Sequence, residues 1–187
     1  RMIGGVPDAF WIGSAAALGA TIGSFLNVCI YRMPRRCMTI ARPRHSHCPK
    51  CGHAIRWYEN IPVLSWLALR GRCSGCGNPI SPMYPVVEAL TSALFALAAW
   101  QALASPAPWM PGGLPAEWQR LAWFGVAAGL TAGLIVATFV DFEFQIIPDQ
   151  ISVTGAWLAP VLSLALPWLH PPLLQLRPQV PADSVLP

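Results

Sequence analysis

The sequence predicts an all-α protein, a polytopic transmembrane helical bundle with about four spans and one small polar loop. Apolar residues make up 55% of the 187 residues and charged residues only 11%, whereas a soluble domain carries roughly 25% charged residues. A chain of this length cannot bury so much apolar surface in a core of its own. Nine of the 12 basic residues lie between residues 32 and 72, where Glu59 is the one acidic residue. Lipid is therefore the predicted solvent for most of the chain.

Four apolar segments are long enough to cross a bilayer, which takes roughly 20 residues of helix. The predicted spans cover residues 9–31, 83–104, 118–140 and 146–170. The first span is not a signal peptide, because it is too long for the apolar part of one and basic residues follow it rather than precede it. Pro160 and Pro167 predict a kink in the fourth span.

The distribution of Lys and Arg predicts how these spans are oriented. Cytoplasmic loops carry an excess of basic residues, which places residues 32–82 in the cytoplasm and the N-terminus on the other side. Counting spans then returns a short turn at 141–145 to the cytoplasmic face. The expected parts are a first transmembrane helix within residues 1–31, the basic loop at 32–82, the helices of the bundle core at 83–170 and a Pro-rich tail or connector at 171–187.

Small and polar residues predict the faces through which the spans pack. Such faces allow close backbone approach in lipid, and buried polar groups on them need partners inside the bundle. The small residues are Gly19 and Gly23 in the first span and a ridge of Gly125, Gly129 and Gly133 in the third. The polar residues with helical spacing are Ser24, Asn27 and Tyr31 in the first span and Glu88, Thr91 and Ser92 in the second.

The loop contains two Cys-x-x-Cys pairs, Cys48 with Cys51 and Cys73 with Cys76. Two such pairs at about this separation predict a zinc-ribbon-like loop with a structural site, because four thiolates satisfy tetrahedral Zn²⁺ and leave no open position for catalysis. Two disulfides or four free thiols are the alternatives. Disulfides are disfavoured because thiols stay reduced in the cytoplasm.

Other Cys and His residues near the loop are expected to be outside the metal site. Cys29 fits as a small apolar residue of the first span, and Cys37 fits as a spare thiol. His45, His47 and His53 flank the first pair, where solvated histidines are favoured because four cysteines already complete the site. A basic zinc ribbon can bind nucleic acid, but tethering between two membrane spans argues against such a partner.

A short acidic segment between the third and fourth spans is the candidate active site. Asp141 comes as an apolar helix ends, where the negative end of the helix dipole and partial burial are expected to raise the pKa of its carboxyl group. A raised pKa suits an acid–base residue. Asp149 follows Pro148 at the start of the next helix, so capping is its favoured role and catalysis its second one.

Several motifs, taken together, resemble those of the type IV prepilin peptidases. The similarity covers nearly the whole chain up to about residue 170 and is more specific than any one motif. The segment from Asp141 to Asp149 is similar to the first catalytic-aspartate motif of that family. The other similar segments are GSFLNV at 23–28, YRMP at 31–34, CPKCG at 48–52, WYENIPVLSW at 57–66, LRGRC at 69–73, PIS at 79–81 and Tyr84-Pro85 with Glu88.

The resemblance implies a bifunctional enzyme of the bacterial inner membrane. Such an enzyme cleaves the leader of prepilins and type II secretion pseudopilins on the cytoplasmic side, and it N-methylates the new amino terminus with S-adenosylmethionine. The resemblance also implies that Asp141 is the first of two catalytic aspartates. The implied partners are these substrates and membrane lipid, and no residue is assigned to S-adenosylmethionine.

The chain departs from the family pattern in one respect. The second catalytic aspartate of the family lies in a Gly-x-Gly-Asp motif, which does not occur in these 187 residues. We therefore expect a truncated part that is inactive on its own. The alternative is a non-catalytic zinc-ribbon membrane module that binds pilin-like partners. A transporter is disfavoured, since it needs charged residues near span midpoints and Glu88 lies near an end of its span.

Overall fold

The computed structural model describes residues 2–3, 6–35, 47–104, 116–146 and 149–165, which are mostly helical. Two short antiparallel strands, β1 (Met2–Ile3) and β2 (Val6–Pro7), precede helix α1 (Asp8–Arg32). A 3-10 helix (Trp57–Asn60) and the short α2 (Leu64–Ala68) lie in the polar loop. The other helices are α3 (Met83–Ala104), α4 (Ala116–Phe144) and α5 (Asp149–Ala165). The predicted all-α fold is confirmed.

Three of the described helices, α1, α3 and α4, are long and apolar enough to cross a membrane. Helix α3 has the predicted bounds, whereas α1 and α4 extend beyond theirs. The described part of the predicted fourth span is α5, which has 17 residues and contains Pro160. It is shorter than the roughly 20 residues of a crossing. Residues 166–170, the tail at 171–187, Cys37 and His45 lie outside the described residues.

Helices α1 and α3 form the most extensive helix pair, and two glycines allow their close approach. A Cβ atom added at Gly19 would lie 2.7 Å from the carbonyl oxygen of Thr91, and one at Gly23 would lie 2.8 Å from the Cα atom of Glu88. Cβ atoms do not come this close to a neighbouring backbone, so only glycine fits at both positions. The predicted small-residue face of the first span is confirmed.

Helix α4 packs against α1 and α3, but its glycine ridge lies away from that contact. A Cβ atom at Gly125 or Gly129 would meet nothing within 4 Å, and one at Gly133 would meet Ile151 at 3.8 Å. The predicted close packing of this ridge is therefore not seen among the described residues. The core shared by the three helices consists of Leu26, Cys29, Ile30, Val87, Ile135, Val136 and Val140.

Polar side chains on α1 and α3 pair across the helix interface, as polar groups away from water must. The side-chain amide of Asn27 donates to the carbonyl oxygen of Tyr84 at 3.0 Å, and the Ser92 hydroxyl donates to a backbone carbonyl of α1 at 2.9 Å. The buried Glu88 carboxylate is a hydrogen-bond partner of Ser24. The predicted inward-facing polar positions are confirmed for these side chains.

The outer faces of the helices are apolar. Large side chains on them, such as Phe25, Leu134 and Trp157, are more than half exposed. Such continuous apolar surface is unusual for a protein in water and marks contact with lipid or protein. This surface fits a multi-pass membrane protein.

Candidate functional site

One end of the helix bundle gathers the charged and polar groups of both candidate sites. Helix α1 ends at Arg32, α3 begins at Met83 and α4 ends at Phe144. An ion pair between Arg35 and Glu143, at 3.2 Å, shows that the ends of α1 and α4 meet. The polar loop, residues 32–82, connects α1 to α3 at this same end. The four cysteines and Asp141 are therefore on one side of the bundle.

The two Cys-x-x-Cys pairs fold into two knuckles with the same backbone pattern. In the first, the Gly52 amide donates to the Cys48 carbonyl and the Cys48 amide donates to the His53 carbonyl, both at 2.9 Å. The second knuckle repeats these two bonds at equivalent positions, both at 2.8 Å. Gly52 has a φ of +70° and Gly77 a φ of +69°, a conformation that glycine adopts without steric cost. Each knuckle is flanked by a single antiparallel β-bridge.

The four sulfur atoms lie where one metal ion can reach them all. All four Sγ atoms are within 4.8 Å of one another, with 3.9 Å between Cys48 and Cys76 and 4.0 Å between Cys51 and Cys73. A tetrahedral ion with Zn–S bonds of about 2.3 Å needs sulfurs roughly 3.8 Å apart. Among the described cysteines none forms a disulfide. The predicted ligands are thus brought together, and they could hold a metal ion.

Two thiols of this cluster, those of Cys48 and Cys51, have pKa values shifted in opposite directions. The backbone amides of Cys51 and Lys50 donate to the Cys48 sulfur and lower the pKa of Cys48 to about 6. The His53 amide also lowers the pKa of Cys51, but burial and the three neighbouring sulfurs outweigh it and raise that pKa to about 12. Four thiolates repel one another, and the positive charge of an ion bound between them offsets that repulsion. Metal binding therefore favours the loss of the thiol protons.

His53 joins the two knuckles, which corrects the expectation of a solvated histidine. Its Nε2 atom lies 3.0 Å from the Ser74 hydroxyl oxygen and 3.3 Å from Oε2 of Glu59. A Cβ atom at Gly75 would lie only 3.0 Å from the His53 side chain, so the second knuckle packs directly on the ring. His53 is not among the residues of the sulfur cluster.

Glu59 is the charged partner in this contact between the knuckles. Hydrogen bonds from the Ser74 hydroxyl, from the backbone amide of Arg56 at 2.8 Å and from His53 lower the pKa of Glu59 to about 2. The carboxylate is therefore ionised at neutral pH. It ties the 3-10 helix to the second knuckle, a contact between residues that are far apart in the sequence.

Asp141 is exposed and lies in the last turn of α4. The predicted turn at 141–145 is wrong for residues 141–144, which continue the helix. The reason is that the Asp-Phe-Glu-Phe run contains no helix breaker. The helix ends at Gln145, whose φ of +54° is the left-handed conformation that commonly terminates helices. The carboxylate of Asp141 thus faces outward at the polar end of the bundle.

Asp149 is exposed and is the first residue of α5, so its predicted position at a helix start is confirmed. A carboxylate there interacts favourably with the positive end of the helix dipole. Whether the Asp149 side chain caps the helix or takes part in catalysis stays a prediction.

Arg35 fixes the acidic end of α4 to the end of α1. Its guanidinium donates to Glu143 at 3.2 Å and to the carbonyl oxygen of Tyr31 at 2.6 Å. It also lies 4.1 Å from the ring centre of Tyr31 and 5.1 Å from that of Phe144. Sequence reasoning missed this pair, because Arg35 and Glu143 are separated by 108 residues and nothing local marks either one.

A cavity lies at the other end of the bundle. It has a volume of about 530 Å³ and is lined by the start of α1, the end of α3 and the start of α4, with Trp11, Trp118 and Phe124 among its walls. Neither the cysteines nor Asp141 line it. The candidate active site, at the exposed polar end, therefore lies apart from this cavity.

Comparison with known proteins agrees with this geometry. Residues 17–102 match the bacterial peptidase A24 N-terminal domain. A prepilin leader peptidase/N-methyltransferase of Myxococcus xanthus is 44% identical over 141 residues, which are 74% of this chain and 36% of the relative. Proteins of the same name from Neisseria gonorrhoeae and Pseudomonas putida are 36% and 34% identical over 184 residues, covering 85% and 88% of this chain and 58% of each relative.

The chain spans about half the length of the curated relatives it matches. None of the solved structures matches it. The matched domain contains both cysteine knuckles and the glycines that join α1 to α3. On these similarities, the chain contains a bacterial peptidase A24 N-terminal domain and is similar over most of its length to part of the prepilin leader peptidases/N-methyltransferases.

Proposed function

We propose that this chain is part of a membrane aspartic peptidase and N-methyltransferase, to which it contributes the catalytic carboxylate of Asp141. The substrates are prepilins and type II secretion pseudopilins, whose leader the enzyme removes before it methylates the new amino terminus. The position of Asp141 carries the proposal. It is exposed in the last turn of a membrane-capable helix, where a scissile bond that precedes an apolar substrate helix can reach it.

The peptidase chemistry needs a second carboxyl group. One carboxylate takes a proton from water while the water oxygen attacks the scissile carbonyl carbon, and the other, protonated, donates a hydrogen bond to the carbonyl oxygen. No Gly-x-Gly-Asp motif occurs in these 187 residues. The second carboxyl group therefore comes from outside them, and we expect no cleavage by these residues alone.

We propose that Cys48, Cys51, Cys73 and Cys76 hold a structural Zn²⁺. Support comes from the sulfur–sulfur distances and from the matching backbone of the two knuckles. When bound, the ion closes the loop by joining the knuckles. With four protein ligands it has no open position for water or substrate, so it takes no part in the reaction.

We further propose that the loop at 32–82 lies in the cytoplasm of a cell whose inner membrane holds the helices of the core at 83–170. Support comes from the concentration of basic residues in this loop. The substrate leader then reaches Asp141 from the cytoplasmic side. Membrane lipid covers the outer faces of the bundle.

S-adenosylmethionine is the methyl donor in this proposal, but the cavity at the far end of the bundle does not fit it. The 530 Å³ cavity is apolar and lies at the opposite end of the bundle from Asp141. Its one basic side chain, Arg120, cannot by itself recognise an adenosyl group and an amino acid. We therefore assign no residue to this cofactor and no step to it.

The test compares Asp141→Asn with Glu143→Gln, each produced from the whole reading frame in which these residues lie. Both are exposed carboxylates in the last turn of α4. Loss of an acid–base group costs roughly 100-fold to 10,000-fold in rate, so we expect Asp141→Asn to lower leader cleavage by at least about 100-fold. Glu143→Gln is expected to retain most of the activity. Cleavage is followed on gels with purified prepilin in proteoliposomes.

Substrate binding by Asp141→Asn separates the enzyme from the alternative. Retained prepilin binding with lost cleavage supports a catalytic role. Unchanged cleavage would overturn the role of Asp141 and move the chemistry to other residues. The alternative, a non-catalytic module that binds pilin-like proteins, requires binding without cleavage by the wild type as well. For the metal, Cys73→Ser is expected to lower the bound zinc well below one ion per chain, whereas Cys29→Ser in α1 keeps it.

A further inference from the structure

The backbone is strained at Val63, where the polar loop meets the helix bundle. Val63 has a φ of +62° and a ψ of −49°. The Leu64 amide donates to the Pro62 carbonyl at 2.6 Å, which closes a γ-turn of the rare form with positive φ. A β-branched residue with positive φ is an outlier, so the surroundings must hold this turn in place.

The holding contact is a hydrogen bond from the loop to the bundle. The backbone amide of Val63 donates to Oε2 of Glu88 at 2.7 Å. Glu88 is 8% exposed in the second turn of α3, and its carboxylate is also a hydrogen-bond partner of Ser24 on α1. One carboxylate thus joins α1, α3 and the turn.

The turn is also connected rigidly to the second cysteine knuckle. Val63 leads directly into α2, where the Trp66 indole donates to the Ile80 carbonyl at 3.2 Å. The Ile80 amide donates to the Gly71 carbonyl at 2.7 Å, and Gly71 packs on the Trp66 ring. A shift at Val63 therefore moves the knuckle at Cys73 relative to the bundle.

We propose that Glu88 is a positioning residue, which acts through the strained turn at Val63 to hold the cysteine-bearing loop at a fixed place over the end of the bundle that carries Asp141. Persistent backbone strain is found where the surroundings over-determine a conformation, as at functional sites. The positioning role rests on the proposed peptidase function. The hydrogen bond itself does not, so the two can be tested apart.

The experiment compares Glu88→Gln, Glu88→Met and Thr91→Val in the protein produced from the whole reading frame. Glutamine keeps an oxygen acceptor for the Val63 amide, whereas methionine has similar size and only a weakly accepting sulfur. Thr91→Val is the control, since it removes a buried hydroxyl from α3 that bonds to Val87 in the same helix. Amide hydrogen exchange of residues 61–67, zinc content and leader cleavage are measured for each.

We expect Glu88→Met to exchange the Val63 amide at least about 10-fold faster and to lower kcat/KM for leader cleavage about 10-fold, with zinc content unchanged. Glu88→Gln is expected to restore both quantities, and Thr91→Val to change neither. An unchanged exchange rate of the Val63 amide in Glu88→Met would show that Glu88 does not protect this amide by a hydrogen bond. Faster exchange with normal cleavage, or failure of Glu88→Gln to restore cleavage, would overturn the positioning role.

A second variant covers the case in which Glu88→Met does not assemble. Ser24→Ala keeps the carboxylate but removes its partner on α1, so exchange of the Val63 amide is expected to rise about twofold to fivefold. No rise would overturn the joint role of α1 and α3. If the wild-type protein cleaves no prepilin, the proposed function fails, while the exchange measurements still decide whether Glu88 holds the loop.

Discussion

The pair α1–α3 and the pair α4–α5 contain the same kinds of residues but use them differently. Glycines of α1 touch the backbone of α3, whereas Gly125 and Gly129 of α4 meet no neighbour within 4 Å. The acid of α3, Glu88, is buried and hydrogen-bonded, whereas Asp141 and Asp149 are exposed. In the described residues, the glycines of α1 contact the backbone of α3, and the buried acid of α3 is hydrogen-bonded. In contrast, α4 and α5 present their small and acidic residues outward. Stability is therefore expected to reside in the first pair and reactivity in the second.

The strongest test of this contrast substitutes leucine for one glycine in each of the two helix pairs. Gly23→Leu places a side chain against the backbone of Glu88 and is expected to lower the free energy of unfolding by about 3 kcal/mol, the upper end for overpacking. Gly129→Leu is expected to change it by less than about 0.5 kcal/mol. Unfolding in mixed detergent micelles measures both. Equal losses would contradict the contrast.

A smaller effect is expected from the polar contact between α1 and α3. Asn27→Leu leaves the Tyr84 carbonyl without its side-chain donor. Hydrogen bonds between transmembrane helices contribute about 0.6 kcal/mol on average and at most about 1.7 kcal/mol, so we expect a loss of about 1 kcal/mol in the same assay. Thr21→Val is the control, because the exposed Thr21 hydroxyl bonds within its own helix.

The loop attached to the first pair is expected to depend on pH through Glu59. Its pKa is lowered to about 2 in the folded loop, below the usual value of about 4.3. The ionised form therefore stabilises the loop above pH 4.3, and this contribution is lost as the pH falls toward 2. Zinc release during acid titration is measured for the wild type and Glu59→Gln. The wild type is expected to hold zinc better near neutral pH, and the difference is expected to vanish in acid.

The smallest effect is expected where the two halves meet. The Arg35–Glu143 ion pair is 31% and 41% exposed, and exposed pairs contribute up to about 1 kcal/mol. A double-mutant cycle with Arg35→Gln and Glu143→Gln is expected to give a coupling energy of about 0.5 kcal/mol that falls with added salt. A coupling above about 2 kcal/mol would show that α4 depends on α1 far more than the contrast allows.

Much of the fold could be predicted from apolar segment lengths, since a bilayer fixes how long a spanning helix must be. The second predicted span matches α3 at both ends. The cysteine cluster could equally be predicted from the sequence, because ligand spacing alone brings each pair of sulfurs to one ion. Glycine spacing predicted a packing face on α1 and on α4 alike, yet only α1 has a close neighbour in the described residues. A periodic pattern shows which face is small but not what covers it.

The contacts that the sequence did not reveal are those between distant residues. His53 meets Ser74 across 21 residues, and Val63 meets Glu88 across 25. No local rule predicts a γ-turn with positive φ at a valine, because the intrinsic preference of that residue opposes it. Such a turn is visible only once the bundle that holds it is known.

The repeated knuckles have a consequence for how the chain assembles. An ion captured by one knuckle alone still has water in half of its coordination shell, so a stable complex requires both. Zn²⁺ bound as proposed would shorten the connection between α1 and α3, and a shorter connection raises the effective concentration of one helix for the other. If the loop binds Zn²⁺ as proposed, the supply of metal in the cell would set how readily this helical hairpin closes after its two helices enter the bilayer.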